Sequence, residues 1–199
     1  QYLYLQVTRG AAPKLDHAIP PRIAPTVCAT CPPIAPIPLD GVKAITVDDI
    51  RWDRCNIKAI TLLANILLRQ EALDSGASEA ILARDDRVLE GAASNIFIVR
   101  NGTLITPPKG PEILPGITRE LVLELAHDLG IPAVERHFTR AELTAADEVW
   151  LTSSTREILA VIELDGQPVG GGKPGPVWTT LQSAYQDYKQ RLRESAASR

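Results

Sequence analysis

Between Cys31 and Pro38 the chain carries four prolines in eight residues. Proline holds φ at about −65° and has no N–H to donate, so such a run suits neither a helix interior nor a central strand. It reads as a stiff, extended connection. The stretch before it, residues 10–24, is polar and broken by Pro13, Pro20 and Pro21. Beyond Pro38 the pattern becomes regular. The chain is therefore expected to divide into residues 1–33, a linker at 34–38 and a larger domain over 39–199.

The larger part must carry the core. Of the 199 residues, 45% are apolar, which is enough for a sizeable interior. The net charge is −3 and no basic block exists, which argues against a nucleic-acid partner. No apolar run reaches the ~20 residues that span a bilayer, so no membrane partner is expected. Gln1–Leu5 lacks the basic and apolar regions of a signal peptide. Three cysteines suit a reducing cytoplasm better than a disulfide framework. Methionine is absent even at position 1, and the chain opens directly on a strand-like pattern. Together these set the expectation that the natural start lies upstream.

Pattern alone predicts several elements. Residues 2–8 and 42–47 read as strands, rich in Val, Ile, Thr and Tyr. Ile60, Leu63, Ala64, Leu67 and Leu68 recur at helical spacing, which predicts a helix over 57–73, stopped by Gly76. Residues 79–84 and 87–90 read as strands around Asp85-Asp86. Residues 95–100 and 103–106 flank Asn101-Gly102, and residues 160–164 and 167–169 flank Asp165-Gly166, both hairpin signals. Helices are expected over 118–129 and 177–193, and a strand over 149–152. Hairpins mixed with isolated helices indicate an α+β or mixed-sheet fold.

Four features could carry chemistry. Lys58 is expected at a helix start among Ile57, Ala59 and Ile60. An apolar setting disfavours the ammonium and leaves a nucleophilic amine. Glu90 leads into the small-residue turn Gly91-Ala92-Ala93-Ser94-Asn95, where a flat ligand could approach the backbone. Leu114-Pro115-Gly116-Ile117-Thr118-Arg119 opens a helix, expected to be capped by Thr118, whose free N–H groups suit a phosphate. Thr152-Ser153-Ser154-Thr155 gathers hydroxyls at a strand end. Singly, each also fits a surface lysine, an ordinary turn, a capped helix or a polar loop. Cys28-Ala-Thr-Cys31 has CxxC spacing, and Cys55 with His17 would complete four ligands. With no second CxxC it reads as chance spacing, and no metal is expected.

Taken in order, these segments resemble the fold-type IV pyridoxal-phosphate-dependent aminotransferases, and among them the D-amino-acid transaminases. The resemblance runs through Tyr4–Gly10, the lysine segment Asp49–Leu63, Glu79–Leu82, Glu90–Asn95, Leu114–Arg119 and Asp147–Thr155. It implies the large C-terminal domain of that fold, a mixed-sheet pseudo-barrel with packed helices, after the tail of a small N-terminal domain. It further implies pyridoxal 5'-phosphate as cofactor, with Lys58 condensing with its aldehyde and moving the substrate proton. Glu90 would keep the ring nitrogen protonated, and Leu114 would lie against the ring. Ile117, Thr118, Ser153 and Ser154 would hold the phosphate. The reaction would be ping-pong amino transfer between a D-amino acid such as D-alanine and a 2-oxo acid, in a homodimer.

Two departures bear on this. The D-amino-acid enzymes trap the substrate carboxylate with an Arg and a His just after the Thr-Arg-Gly motif. Here that stretch offers Lys14 and His17, with no Arg. An Arg and a Tyr that the small domain supplies would lie upstream of residue 1. Branched-chain and (R)-amine transaminases, aminodeoxychorismate lyases and a truncated non-catalytic module therefore remain as alternatives.

Overall fold

The computed structural model describes residues 1–197. The chain forms two compact units, Gln1–Pro36 and a second from Ile37 onward. The first contains a two-stranded antiparallel ribbon of β1 (Tyr4–Thr8) and β2 (Thr26–Thr30), paired from Tyr4↔Thr30 to Thr8↔Thr26. Of these two strands, only β1 is expected from the sequence pattern. β2 draws on the β-branched Thr26, Val27 and Thr30. Cys28 lies on β2 and Cys31 just past its end, and both are exposed free thiols.

The second unit runs β3 (Val42–Asp48), α1 (Leu63–Asp74), β4 (Glu79–Arg84), β5 (Arg87–Gly91), β6 (Asn95–Arg100), β7 (Thr103–Thr106), α2 (Ile117–Asp128), β8 (Ala133–Glu135), α3 (Arg140–Thr144), β9 (Glu148–Ser153), β10 (Glu157–Leu164), β11 (Gln167–Pro168) and α4 (Pro176–Ala197). The strands form one sheet in the order β5-β4-β3-β10-β9-β6-β7-β8, with β11 on β10. β3 is parallel to both its neighbours and β7 is parallel to β8, while the other pairs are antiparallel. The fold is α+β with a mixed sheet. The sheet curls, because a bridge between Gly91 and Ser94 brings β5 back to β6.

Curling gives the sheet two apolar faces. Ile81, Val88, Ile96, Ile98, Leu151 and Leu159 fill the inner one. Phe97, Trp150 and Ile158 lie on the outer one, covered by Val122 of α2 and by Leu181 and Tyr185 of α4. α1 adds Leu68 and Ala72 against Ala80 and Leu82. Asn101 and Gly102 both take positive φ, at 49° and 74°, as the tight hairpin between β6 and β7 demands.

The helix expected over 57–73 starts only at Leu63. The residues before it are tied elsewhere: the Cys55 N–H donates to the Pro111 carbonyl, and the Leu62 N–H to the Ile60 carbonyl. The apolar pattern misleads here because much of it faces outward, with Ile60, Leu63, Ile66 and Leu67 exposed. Among the described residues no helix is long and apolar enough to cross a membrane.

Candidate active site

Glu90 owes its direction to a bulge. β4 and β5 pair Ala83 with Val88 but Leu82 with Glu90, so Leu89 is an extra residue on β5. Without it, Glu90 would share the inner face with Val88. With it, Glu90 stands on the side of Leu82, which packs toward α1. Only 5% of the residue is exposed.

The carboxylate is held from three directions. Leu114 N–H donates to Oε2 at 3.0 Å and Asn95 Nδ2 at 3.1 Å. Arg51 Nη1 donates to Oε1. Asn95 also donates to the Leu114 carbonyl at 2.7 Å, which ties β6 to the loop before α2. Burial pushes Glu90 up to about 7, against the pull of Arg51 and the Leu114 N–H.

Arg51 is itself clamped. Its Nε and Nη2 donate to the two oxygens of Asp49 at 2.8 and 3.1 Å, and Nη2 also donates to the Glu112 carbonyl at 3.1 Å. The Asp49 side chain is fully buried and takes a further bond from Arg84 at 3.0 Å. Burial opposes charge on both groups. The bidentate pairing still holds Asp49 below, and Arg51 above, its ordinary range.

The candidate anion-binding end is the N-terminus of α2. Its N-cap is Gly116, not Thr118: Gly116 is extended, at φ −73° and ψ 139°, and Thr118 already lies in the first turn. A side chain at Gly116 would collide with Asn95 Oδ1, so the close approach of β6 to this turn needs glycine. The Glu120 N–H closes onto the Gly116 carbonyl, so the Ile117, Thr118 and Arg119 N–H groups precede the intrahelical ladder. Thr118 is buried and shares a hydrogen bond with Tyr185 of α4. Burial, with Glu157 nearby, raises the Tyr185 hydroxyl despite that bond.

β9 reaches the same end of the sheet, since Asn95 is paired with Thr152. Ser153 ends that strand. The hydroxyls of Thr152 and Ser153 are buried without a hydrogen-bond partner in the structure. Ser154 is exposed in the following turn. Unpartnered buried hydroxyls and free helix amides fit an anionic group, while a carboxylate with three donors fits a protonated ring nitrogen.

The structure thus gathers Glu90, Leu114, Ile117 and Thr118, with Ser153 at the end of β9, next to the residue paired with Asn95. Lys58 lies three residues after Cys55, which is bonded to the loop that carries Leu114. It is not at a helix start, and its neighbours Ile57 and Ile60 are exposed. Lys58 is exposed too, so this chain alone does not desolvate its amine. Lys14 and His17 lie exposed in the first unit. Sequence reasoning misses the roles of Arg51, Asp49 and Asn95. An Asp-x-Arg pair just past a strand is the one available signal, and it does not distinguish a buried clamp from a surface pair. An open cleft of about 450 Å³, lined by Arg51, Trp52, Ile60, Leu63 and Asn65 among others, adjoins this cluster.

The family of amino-transferase class IV matches residues 1–164. The chain is 44% identical over 188 residues to a D-alanine aminotransferase of Bacillus licheniformis, covering 93% of this chain and 66% of that one. The solved branched-chain aminotransferase of Thermoproteus uzoniensis, determined with norvaline, superimposes with a TM-score of 0.82 at 35% identity, over 92% of this chain and 63% of that one. A T.th. branched-chain amino acid aminotransferase complexed with N-(5'-phosphopyridoxyl)-L-glutamate superimposes with a TM-score of 0.70 at 33% identity, over 74% of this chain and 52% of that one. The chain therefore spans about two thirds or less of the length of these relatives.

Proposed function

The chain belongs to the class IV aminotransferase family, and from that premise we propose that it carries the cofactor-binding part of a pyridoxal-phosphate-dependent D-amino-acid aminotransferase. The reaction moves an amino group between a D-amino acid, D-alanine first, and a 2-oxo acid. One observation carries this reading. A buried carboxylate, Glu90, is fixed by the backbone of Leu114 in the turn that leads into an open helix N-terminus.

Pyridoxal phosphate supplies an electron sink when bound, and its strength depends on a protonated ring nitrogen. Glu90 holds that proton in place. Leu114 would lie against the ring. Ile117 and Thr118 would hold the phosphate through their N–H groups, with Ser153 and Ser154 as further donors. Lys58 would hold the aldehyde end of the cofactor and would move a proton at the substrate α-carbon. Lys14 and His17, in the first unit, are the candidates for holding a substrate carboxylate, Lys14 as a point charge without a bidentate fork.

A homodimer belongs to the same proposal. Leu63, Ile66 and Leu67 leave an apolar strip of α1 exposed, and Ile60 lies just ahead of it. Ile66→Asp should shift the sedimentation of a dimer to that of a monomer. A cytoplasmic setting is supported by three free thiols, Cys28, Cys31 and Cys55.

Reduction with borohydride in the presence of pyridoxal phosphate, followed by peptide mass mapping, tests the reading. A phosphopyridoxyl group on Lys58, absent from Lys58→Ala, supports it. Labelling spread over several lysines would sink it. A second reading, branched-chain amino transfer, is favoured by the absence of an Arg beside His17 and by the solved branched-chain relatives. Offering D-alanine, L-leucine and an (R)-amine in turn separates the two.

A further inference from the structure

We propose that Arg51 is a positioning residue for the cofactor partner Glu90: its guanidinium, clamped by Asp49, favours the ionised Glu90 carboxylate over the neutral form that burial promotes and fixes it in one orientation for a protonated ring nitrogen. This rests on the cofactor reading above and adds a residue to it.

Burial works against a charged carboxylate. A buried carboxyl without a cation takes up a proton, because its charged form is poorly solvated. A protonated Glu90 would donate to a ring nitrogen instead of accepting from it. The ring would then lose the proton that makes it an electron sink. Something must hold the negative charge, and Arg51 is the cation in direct contact. Arginine stays charged at any working pH, whereas a buried lysine is readily neutralised.

The clamp also sets orientation. Asp49 grips the guanidinium with both oxygens, and the Glu112 carbonyl takes a further N–H, so the plane of Arg51 is set independently of Glu90. Nη1 then fixes Oε1, while Asn95 and Leu114 fix Oε2. An ionised carboxylate offers roughly four acceptor sites, so three protein donors leave about one for a ligand N–H. The other ionisable groups around the pair are Asp49, Arg84, Glu112 and Cys55. Asp49 is already bonded to Arg51 and Arg84, and Glu112 to Arg87.

A merely structural salt bridge would support the fold without sensing the ring nitrogen. The test therefore compares two ligands that differ only there. The dissociation constants of pyridoxal phosphate and of its analogue with CH in place of the ring nitrogen are measured by absorbance on the wild-type chain, Arg51→Gln, Arg51→Lys and Glu90→Gln. Wild type should prefer the nitrogen compound by about tenfold or more, the scale of one charge-assisted hydrogen bond. In Arg51→Gln that preference should fall to within about twofold. Glu90→Gln should abolish it as well, and Arg51→Lys should restore part of it.

Equal weakening of both ligands in Arg51→Gln, with the preference intact, overturns the proposal while leaving the cofactor reading standing. Binding of neither compound to the wild-type chain, with no label on Lys58, removes the cofactor reading and the proposal with it. If the glutamine variant does not fold, Arg51→Met fills the space without the charge and decides by the same ratio. If that fails too, the wild-type pH profile decides: the preference must disappear as Glu90 takes up its proton, and a flat profile overturns the proposal.

Discussion

Of the glutamates buried in the curled sheet, Glu79 and Glu90 each have an arginine against them, and they point to opposite faces. Glu79 stands on β4 two residues before Ile81, on the inner face. It pairs with Arg156 and accepts from Ser94 Oγ at 3.2 Å. Glu90 is turned by the Leu89 bulge to the other side, where the Leu114 loop and α2 begin. Glu79 has no exposed surface, and its arginine is reached from the β9–β10 turn. Glu90 has a second acid, Asp49, behind its arginine, and donors from two further segments. The same ion pair thus serves two purposes. Enclosed by the sheet, it fastens strands together. Placed beside an open helix N-terminus, it would present a charge to a ligand on the proposed reading.

The sharpest way to break this comparison is to neutralise each acid. Glu79→Gln leaves Arg156 without its anion at a buried site, and should cost about 3 kcal/mol in denaturant unfolding, the low end for a broken buried pair because Arg156 is partly exposed. It should leave the ligand preference of the Glu90 site unchanged. A Glu79 variant that lost the preference and kept its stability would reverse the two roles. Gly116→Ala comes next. Its Cβ would meet Asn95 Oδ1, and the strain should lower stability by about 1–3 kcal/mol and weaken cofactor binding together. Unchanged binding would mean that the Asn95 contact does not shape the site.

A pH series sharpens the contrast further. Burial raises Glu90 in the folded chain from its ordinary 4.5 to about 7. Between those values the unfolded chain has lost the proton and the folded chain still holds it. The stability that this group contributes is therefore complete below about 4.5 and is lost as pH rises through about 7. The stability of wild type relative to Glu90→Gln should fall over that window in the cofactor-free chain. A difference independent of pH would show that Arg51 has fully offset the burial. The smallest effect is expected at Lys58. It is exposed, so Lys58→Ala should change stability by no more than about 0.5 kcal/mol. A larger loss would mean that Lys58 supports the fold.

The fold is legible in the sequence where a residue type leaves one conformation open. Asn101-Gly102 and Asp165-Gly166 announce tight hairpins, and all four residues adopt positive φ. β8 escapes the pattern because Ala133, Val134 and Glu135 are all exposed and show no alternation. The start of α1 is misplaced because an apolar stripe at helical spacing reads the same whether or not it is covered, and Ile60, Leu63, Ile66 and Leu67 are exposed. At the site, Glu90, Leu114 and Thr118 can be chosen from local pattern and resemblance. The bulge at Leu89 cannot, since strand alternation alone assigns Glu90 to the inner face. Nor can the Asp49–Arg51 clamp, because burial of an arginine is a property of what packs around it. Asn95 looks like the end of a turn. Its contact with Leu114 links residues 19 apart in sequence.

The most direct measurement is a crystal structure of the chain grown with pyridoxal phosphate. The predicted result is density continuous with Lys58 Nζ, the phosphate against the Ile117 and Thr118 N–H groups, and the ring nitrogen about 3 Å from Glu90 Oε1, the oxygen with an acceptor site left. A cofactor bound with its ring nitrogen away from Glu90, or held in the cleft between Trp52 and Asn65, would contradict it.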